Sequence, residues 1–178
     1  MGGSMAESVR VHHCGITVSN LERAVEWYST AFGLKPGLIL EVSGPSGEKV
    51  LRMPPHTHRA ALLPVGNFAI ELLEFIPKGK DFSGRQDDVG YVYLCFEVDD
   101  LDGVYERMSQ AGYDFHTPPM IGEEGQISGS KFCVMRDPDG KTIEFIETGP
   151  GMTAEALHKA SEKRVRYTSF EDPLVMDG

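Results

Sequence analysis

Three residues of this chain have the types and settings to hold a divalent metal, and a fourth stands in a matching slot. His13 lies in VHHCGITV, Glu71 in AIELLEF, Glu144 in TIEFIE, and Tyr93 in VYLCFEV. A carboxylate inside an apolar strand is costly unless it is paired, hydrogen-bonded or bound to metal. One imidazole with two carboxylates is a sound ligand set, since imidazole suits Zn, Fe and Ni and carboxylate suits harder ions. Two glutamates also balance a 2+ charge. Without an ion, two such glutamates brought together would crowd each other and one would stay protonated. A carboxylate beside a polarised carbonyl is equally a general base for moving a proton on carbon.

The elements that would position these residues occur twice. VHHCGITVSNLERAVEWY opens one copy and VYLCFEVDDLDGVYERM opens the other, so that His13 and Tyr93, Val18 and Val98, and Leu21 and Leu101 each lie 80 residues apart. Each copy closes on an apolar strand that carries glutamates, Glu71 matching Glu144 and Glu74 matching Glu147. Such a repeat must be recognised first, because equivalent positions of two copies can serve one shared site. Side chains alternate faces along a strand. His13 therefore shares a face with Gly15 and Thr17, Glu71 with Leu73 and Phe75, and Glu144 with Thr142 and Ile146. Glu74 and Glu147 have the opposite parity and are expected to be exposed, as His12 is expected to face away from His13.

Residues 9–18 read as a strand. Asn20 is an N-cap signal, and apolar residues at Leu21, Ala24, Val25, Tyr28 and Phe32 predict an amphipathic helix stopped by Gly33. A strand follows at 38–42, a break at 44–47, and a hairpin of 59–63 with 68–76 turning at 65–67. Residues 77–89 read as a linker. The second copy repeats the order, with a strand at 91–98, a helix at 101–111 and a short strand at 113–116. A Pro/Gly-rich loop at 117–130 then leads into a hairpin of 131–135 with 141–147. A helix at 153–166 and a polar tail close the chain. One helix per copy followed by consecutive strands predicts an α+β fold with mixed sheets. The organisation is a single domain at 9–148 (module one 9–76, module two 90–148), with residues 149–178 as a C-terminal helix and tail.

The formal charge of −10, from 17 basic and 27 acidic residues, argues against a general nucleic-acid binder, which needs a basic patch. No apolar run approaches the roughly 20 residues that span a bilayer. Met1 to Ser4 read as residues added ahead of a start at Met5, and no signal peptide is expected. The cysteines, Cys14, Cys95 and Cys133, are odd in number and form no CxxC pair. They are expected to be buried reduced thiols in a cytoplasmic protein.

The segments VHHCGITVSNLERAVEWYSTAFGL, IELLEF, LCFEVDDLDGVYERMSQAG and RDPDGKTIEFIE together resemble the vicinal oxygen chelate superfamily. Glyoxalase I, methylmalonyl-CoA epimerase, bleomycin- and fosfomycin-resistance proteins and extradiol dioxygenases belong to it. The resemblance covers about residues 9–148, and its most specific piece is the DPDG turn followed by a strand glutamate. It implies paired βαβββ modules forming a cup-shaped mixed sheet, with helices outside, around one divalent ion (Zn, Ni, Co, Mn or Fe). It also implies a homodimer and a small oxygenated substrate that binds the ion. His13, Glu71 and Glu144 take the ligand positions. The histidine that usually opens the second module is replaced by Tyr93, which could ligate as a phenolate or donate a hydrogen bond to a bound oxyanion. A phenol has a pKa near 10, so the neutral donor costs less. His56 and His58, after Pro54-Pro55, could stand in for the missing histidine. The implied activity is that of a glyoxalase- or epimerase-like lyase or isomerase, with Glu144 or Glu71 as base and Tyr93 as a further catalytic group. The alternatives are a ring-cleaving dioxygenase, which Glu71 and Tyr93 disfavour, and a metal-free binding or resistance protein.

Overall fold

A computed structural model describes residues 11–82, 90–91, 93–162, 165–167 and 173–175. The expected start at Met5, residues 83–89 of the expected linker and the first residues of the opening strand lie outside these. The chain divides into two compact units, Met1–Phe82 and Ser83–Gly178.

The first unit runs β1 (His13–Thr17), α1 (Leu21–Phe32), β2 (Leu38–Ser43), α2 (Pro45–Leu51), β3 (Thr57–Val65) and β4 (Phe68–Ile76). Its sheet has the order β1-β4-β3-β2. β1 lies parallel to β4, and the other pairs are antiparallel. α1 starts where Asn20 accepts a hydrogen bond from the Arg23 amide at 2.8 Å, and it ends at Gly33, whose φ of 67° suits a residue without Cβ. Its buried stripe of Leu21, Ala24 and Tyr28 covers the face of the sheet that carries Ala61, Leu63, Ile70 and Leu72, all fully buried. Burying one such Leu or Ile side chain stabilises a fold by about 1.5–3 kcal/mol.

The second unit repeats this plan. It runs β5 (Tyr93–Glu97), α3 (Leu101–Gln110), β6 (Met120–Ile121), a 3₁₀ turn (Gly125–Ile127), β7 (Lys131–Arg136), β8 (Thr142–Glu147) and α4 (Ala154–Glu162). The order is β5-β8-β7-β6, with β5 parallel to β8. Asp100 caps α3 by accepting from the Gly103 amide at 3.0 Å. Asp137 holds the β7–β8 turn by accepting from the amides of Asp139 and Lys141 at 2.9 and 2.8 Å. The α+β class and the two four-stranded mixed sheets agree with the sequence expectation.

Several details differ from that expectation. The break at 44–47 opens α2, because Gly44 takes a φ of 90° and Pro45 at the first helical position has its φ already set. The short strand at 113–116 reduces to one bridge, Phe115 with Met135, and the edge position goes to β6. The C-terminal helix stops at Glu162, and β9 (Val165–Tyr167) pairs with β10 (Pro173–Val175) where a plain tail was expected.

Glu74 and Glu147 are not exposed. Each is one corner of an ion triad tying helix to sheet. Arg59 on β3 binds Glu74 on β4 and also Glu22 on α1, the latter at 2.5 Å. Lys131 on β7 binds Glu147 on β8 at 3.1 Å and Asp102 on α3 at 2.7 Å. Arg59 faces Glu74 across β3–β4 as Lys131 faces Glu147 across β7–β8. Strand parity did place these glutamates on the face opposite Glu71 and Glu144, but that face is the one the helices cover.

Candidate active site

In the first unit the site is built on the parallel pair β1–β4. Its register sets Gly15 against Glu71 and Thr17 against Leu73. β1 alternates between exposed and half-buried residues, and His13, Gly15 and Thr17 are the exposed ones. A Cβ placed on Gly15 would lie 3.2 Å from Leu73 Cδ1 and 3.8 Å from Glu71 Oε2. Gly15, Glu71 and Leu73 therefore share the face that α1 leaves open. On it, His13 Nε2 and Glu71 Oε2 are 3.5 Å apart.

That separation tests the expected ion. Two donors about 2.1 Å from a tetrahedral zinc-like ion stand about 3.4 Å apart. An imidazole nitrogen and a carboxylate oxygen at this spacing fit two adjacent ligand positions of a divalent metal. The ring's other nitrogen is also engaged, since His13 Nδ1 lies 2.8 Å from His12 Nδ1. His12 was expected to face away, but it sits just ahead of β1, where its ring meets that of His13 edge-on with centroids 5.1 Å apart.

In the second unit the equivalent pair is β5–β8. Its register sets Tyr93 against Thr142 and Cys95 against Glu144. Tyr93 and Cys95 lie on the exposed side of β5. The Glu144 carboxylate, then desolvation and then Cys95 push the Tyr93 phenol above its ordinary value. Desolvation and the same carboxylate push the Cys95 thiol up to about 12. Cys95 departs from the expectation of a buried thiol, and Cys14 is only half-buried; Cys133 is buried as expected. All three are free thiols.

The predicted site residues thus fall into two groups, His13 with Glu71 and Tyr93 with Glu144. Among the described residues, no group of three or more His, Cys, Asp or Glu side chains could hold a metal ion. His58 belongs to β3 and is almost buried. It stacks on His56, with His56 Nε2 3.2 Å from His58 Nδ1. Arg59 is committed to its two carboxylates. Arg136 donates to the Gly140 carbonyl at 2.5 Å. His12 and Cys95 were not marked as site residues. Strand parity alone contained the signal for Cys95, which shares a face with Tyr93; that for His12 lay only in its adjacency to His13.

Residues 10–145 match the Glyoxalase/Bleomycin resistance protein/Dioxygenase superfamily. The chain belongs to that superfamily. Within it, the chain is 28% identical to 2-epi-5-epi-valiolone epimerase of an Actinomyces species over 161 residues, covering 86% of this chain and 87% of the relative. It is 28% identical to ethylmalonyl-CoA/methylmalonyl-CoA epimerase of Cereibacter sphaeroides over 122 residues, covering 66% of this chain and 83% of the relative. A glyoxalase family protein from Bacillus cereus has a similar fold, with a TM-score of 0.67 at 21% identity over 83% of this chain and 99% of that one. No helix among the described residues is long and apolar enough to cross a membrane.

Proposed function

We propose that this chain is a metal-dependent isomerase of the epimerase kind, acting at a carbon next to a carbonyl of a small oxygenated substrate. The observation that carries this reading is the His13–Glu71 pair, held 3.5 Å apart on the open face of β1–β4, together with Glu144 at the matching register position of β8. His13 and Glu71 would supply two of the ion's ligands. When bound, a divalent ion supplies polarisation of the substrate carbonyl and stabilises negative charge developing on its oxygen.

The chain's own residues do the rest. Glu71 is engaged with His13, whereas Glu144 is flanked by a thiol and a phenol, so Glu144 is assigned the proton transfer on carbon. Tyr93, held neutral by the Glu144 charge, donates a hydrogen bond to the substrate oxygen as charge builds there. The epimerase names of two relatives along much of their length support isomerisation over ring cleavage. Cytoplasmic location and a homodimer complete the proposal.

The test is deuterium exchange by metal-reconstituted protein in D₂O, with 2-epi-5-epi-valiolone and methylmalonyl-CoA as first substrates. Deuterium should enter at the epimerised carbon, and Glu144→Gln should abolish this while the protein stays folded. A second reading, a metal-free binding protein, rests on Tyr93 standing where the family usually has histidine. Failure to retain any divalent metal after reconstitution would favour it.

A further inference from the structure

We infer that His12 is a positioning residue that fixes which nitrogen of His13 is offered to metal. The inference rests on the metal-site reading above and extends it to a residue outside the ligand set.

The geometry leaves few choices. His12 Nδ1 and His13 Nδ1 are 2.8 Å apart, a hydrogen-bond distance. An imidazole N–H donates and a bare ring nitrogen accepts, so one of these two atoms carries hydrogen and the other does not. His13 Nε2 is the atom on the Glu71 side, 3.5 Å from its carboxylate. For Nε2 to bind an ion through its lone pair, neutral His13 must carry its hydrogen on Nδ1. That hydrogen then points at His12 Nδ1, which accepts it, and His12 carries its own hydrogen on Nε2. The His12–His13 bond and Nε2 ligation are thus satisfied by one tautomer of each ring.

The partner is also well placed to hold the ring's orientation. His13 is the first residue of β1, where the strand is only beginning to constrain it. The backbone at this point is anchored by the Ala69 amide, which donates to the His12 carbonyl at 3.0 Å. His12 is therefore fixed to β4 through its main chain and to His13 through its ring. A histidine ligand generally gives its second N–H to a carboxylate, a carbonyl or water, and losing that partner costs about 10–100-fold in metal affinity. Here a neighbouring histidine fills the role.

The experiment is calorimetric titration of metal-stripped full-length protein with Zn²⁺ and Co²⁺, for the parent, His12→Phe, His12→Asn and His13→Ala. His13→Ala should abolish tight binding. His12→Phe, which removes the acceptor, should weaken it about 10–100-fold. His12→Asn, which keeps an acceptor oxygen, should recover part of the loss. Long-range ¹⁵N–¹H spectra of the Zn²⁺-loaded parent give an independent readout that needs no variant to fold. They should show His13 with hydrogen on Nδ1 and metal on Nε2. Parent-like affinity in His12→Phe, or a His13 ring that binds metal through Nδ1, would overturn the role of His12 while leaving the metal site intact. Parent-like affinity in His13→Ala would remove the metal-site reading and this inference with it.

Discussion

Cys95 stands directly against Glu144 in the register of the parallel pair β5–β8, where burial and then the carboxylate's charge favour the protonated thiol. Gly15 holds the same register against Glu71 in β1–β4. The two glutamates matched by the repeat thus have different neighbours, one beside an open position and one beside a thiol.

The thiol makes a pH prediction. Desolvation and the Glu144 charge push Cys95 up to about 12, so the folded protein keeps the proton that an unfolded chain would lose at about 8.5. Any stability linked to this group is intact below the unfolded value and is lost as pH rises towards about 12. Thiolate is the reactive form. Alkylation of Cys95 by iodoacetamide, followed by peptide mass spectrometry, should therefore be slow from pH 7 to 9 and rise steeply above that. A rate at pH 8 equal to that of the urea-unfolded chain would show the thiol to be unprotected.

Gly15 is the position where size should tell. A Cβ there would lie 3.2 Å from Leu73 Cδ1 and 3.8 Å from Glu71 Oε2, so a branched side chain must push on both. Gly15→Val should lower unfolding stability by about 1–3 kcal/mol and weaken metal binding more than Gly15→Ala does. Chemical denaturation and metal titration of both variants check this; equal metal affinity in parent and Gly15→Val would mean that Glu71 is not a ligand.

Tyr93 separates hydrogen bonding from ligation. Tyr93→Phe should leave metal content unchanged and cut turnover by about 10²–10³, the usual cost of one lost donor at a developing charge. Loss of metal from the same variant would instead make the phenol a ligand. Tyr93→His, which restores the family's histidine, should raise metal affinity in either case. Elemental analysis alongside initial rates distinguishes the outcomes.

Glu147 should matter more for stability than its place on a strand suggests. Its carboxylate accepts from the Leu101 amide at 2.8 Å, at the start of α3, and also binds Lys131. Glu147→Met removes the acceptor at similar volume and should cost about 1–2 kcal/mol, as lost helix caps do. Glu147→Gln keeps an acceptor oxygen and should cost less. Urea unfolding followed by circular dichroism measures both.

Much of the architecture was legible because it depends on local pattern. Asn20 and Gly33 bounded α1, DPDG marked the β7–β8 turn, and the repeat set the succession of elements in each half. α2 was missed because Gly44-Pro45-Ser46-Gly47 reads as a turn by composition, and only the φ of Gly44 shows that it launches a helix. Strand parity correctly grouped His13 with Gly15 and separated Glu71 from Glu74. It could not say which side a helix would cover, so Glu74 was expected in solvent although it lies beneath α1, bound to Arg59. The His12–His13 contact was invisible for another reason. His12 precedes the regular strand, where alternation no longer governs direction.

The ion triads mark a difference between the two faces of each sheet in how closely the halves correspond. On the covered side, Glu22, Arg59 and Glu74 correspond to Asp102, Lys131 and Glu147, and every exchange keeps its charge. On the open side, Glu71 and Glu144 are alike, but His13 corresponds to Tyr93 and Gly15 to Cys95, exchanges that alter size, charge capacity and reactivity together. Each half can carry its own chemistry on the open surface because the covered surface is the one that fastens its helix. Directed evolution of this chain should therefore tolerate substitutions at positions 13, 93 and 95 without loss of fold, and should recover few changes of charge within the triads.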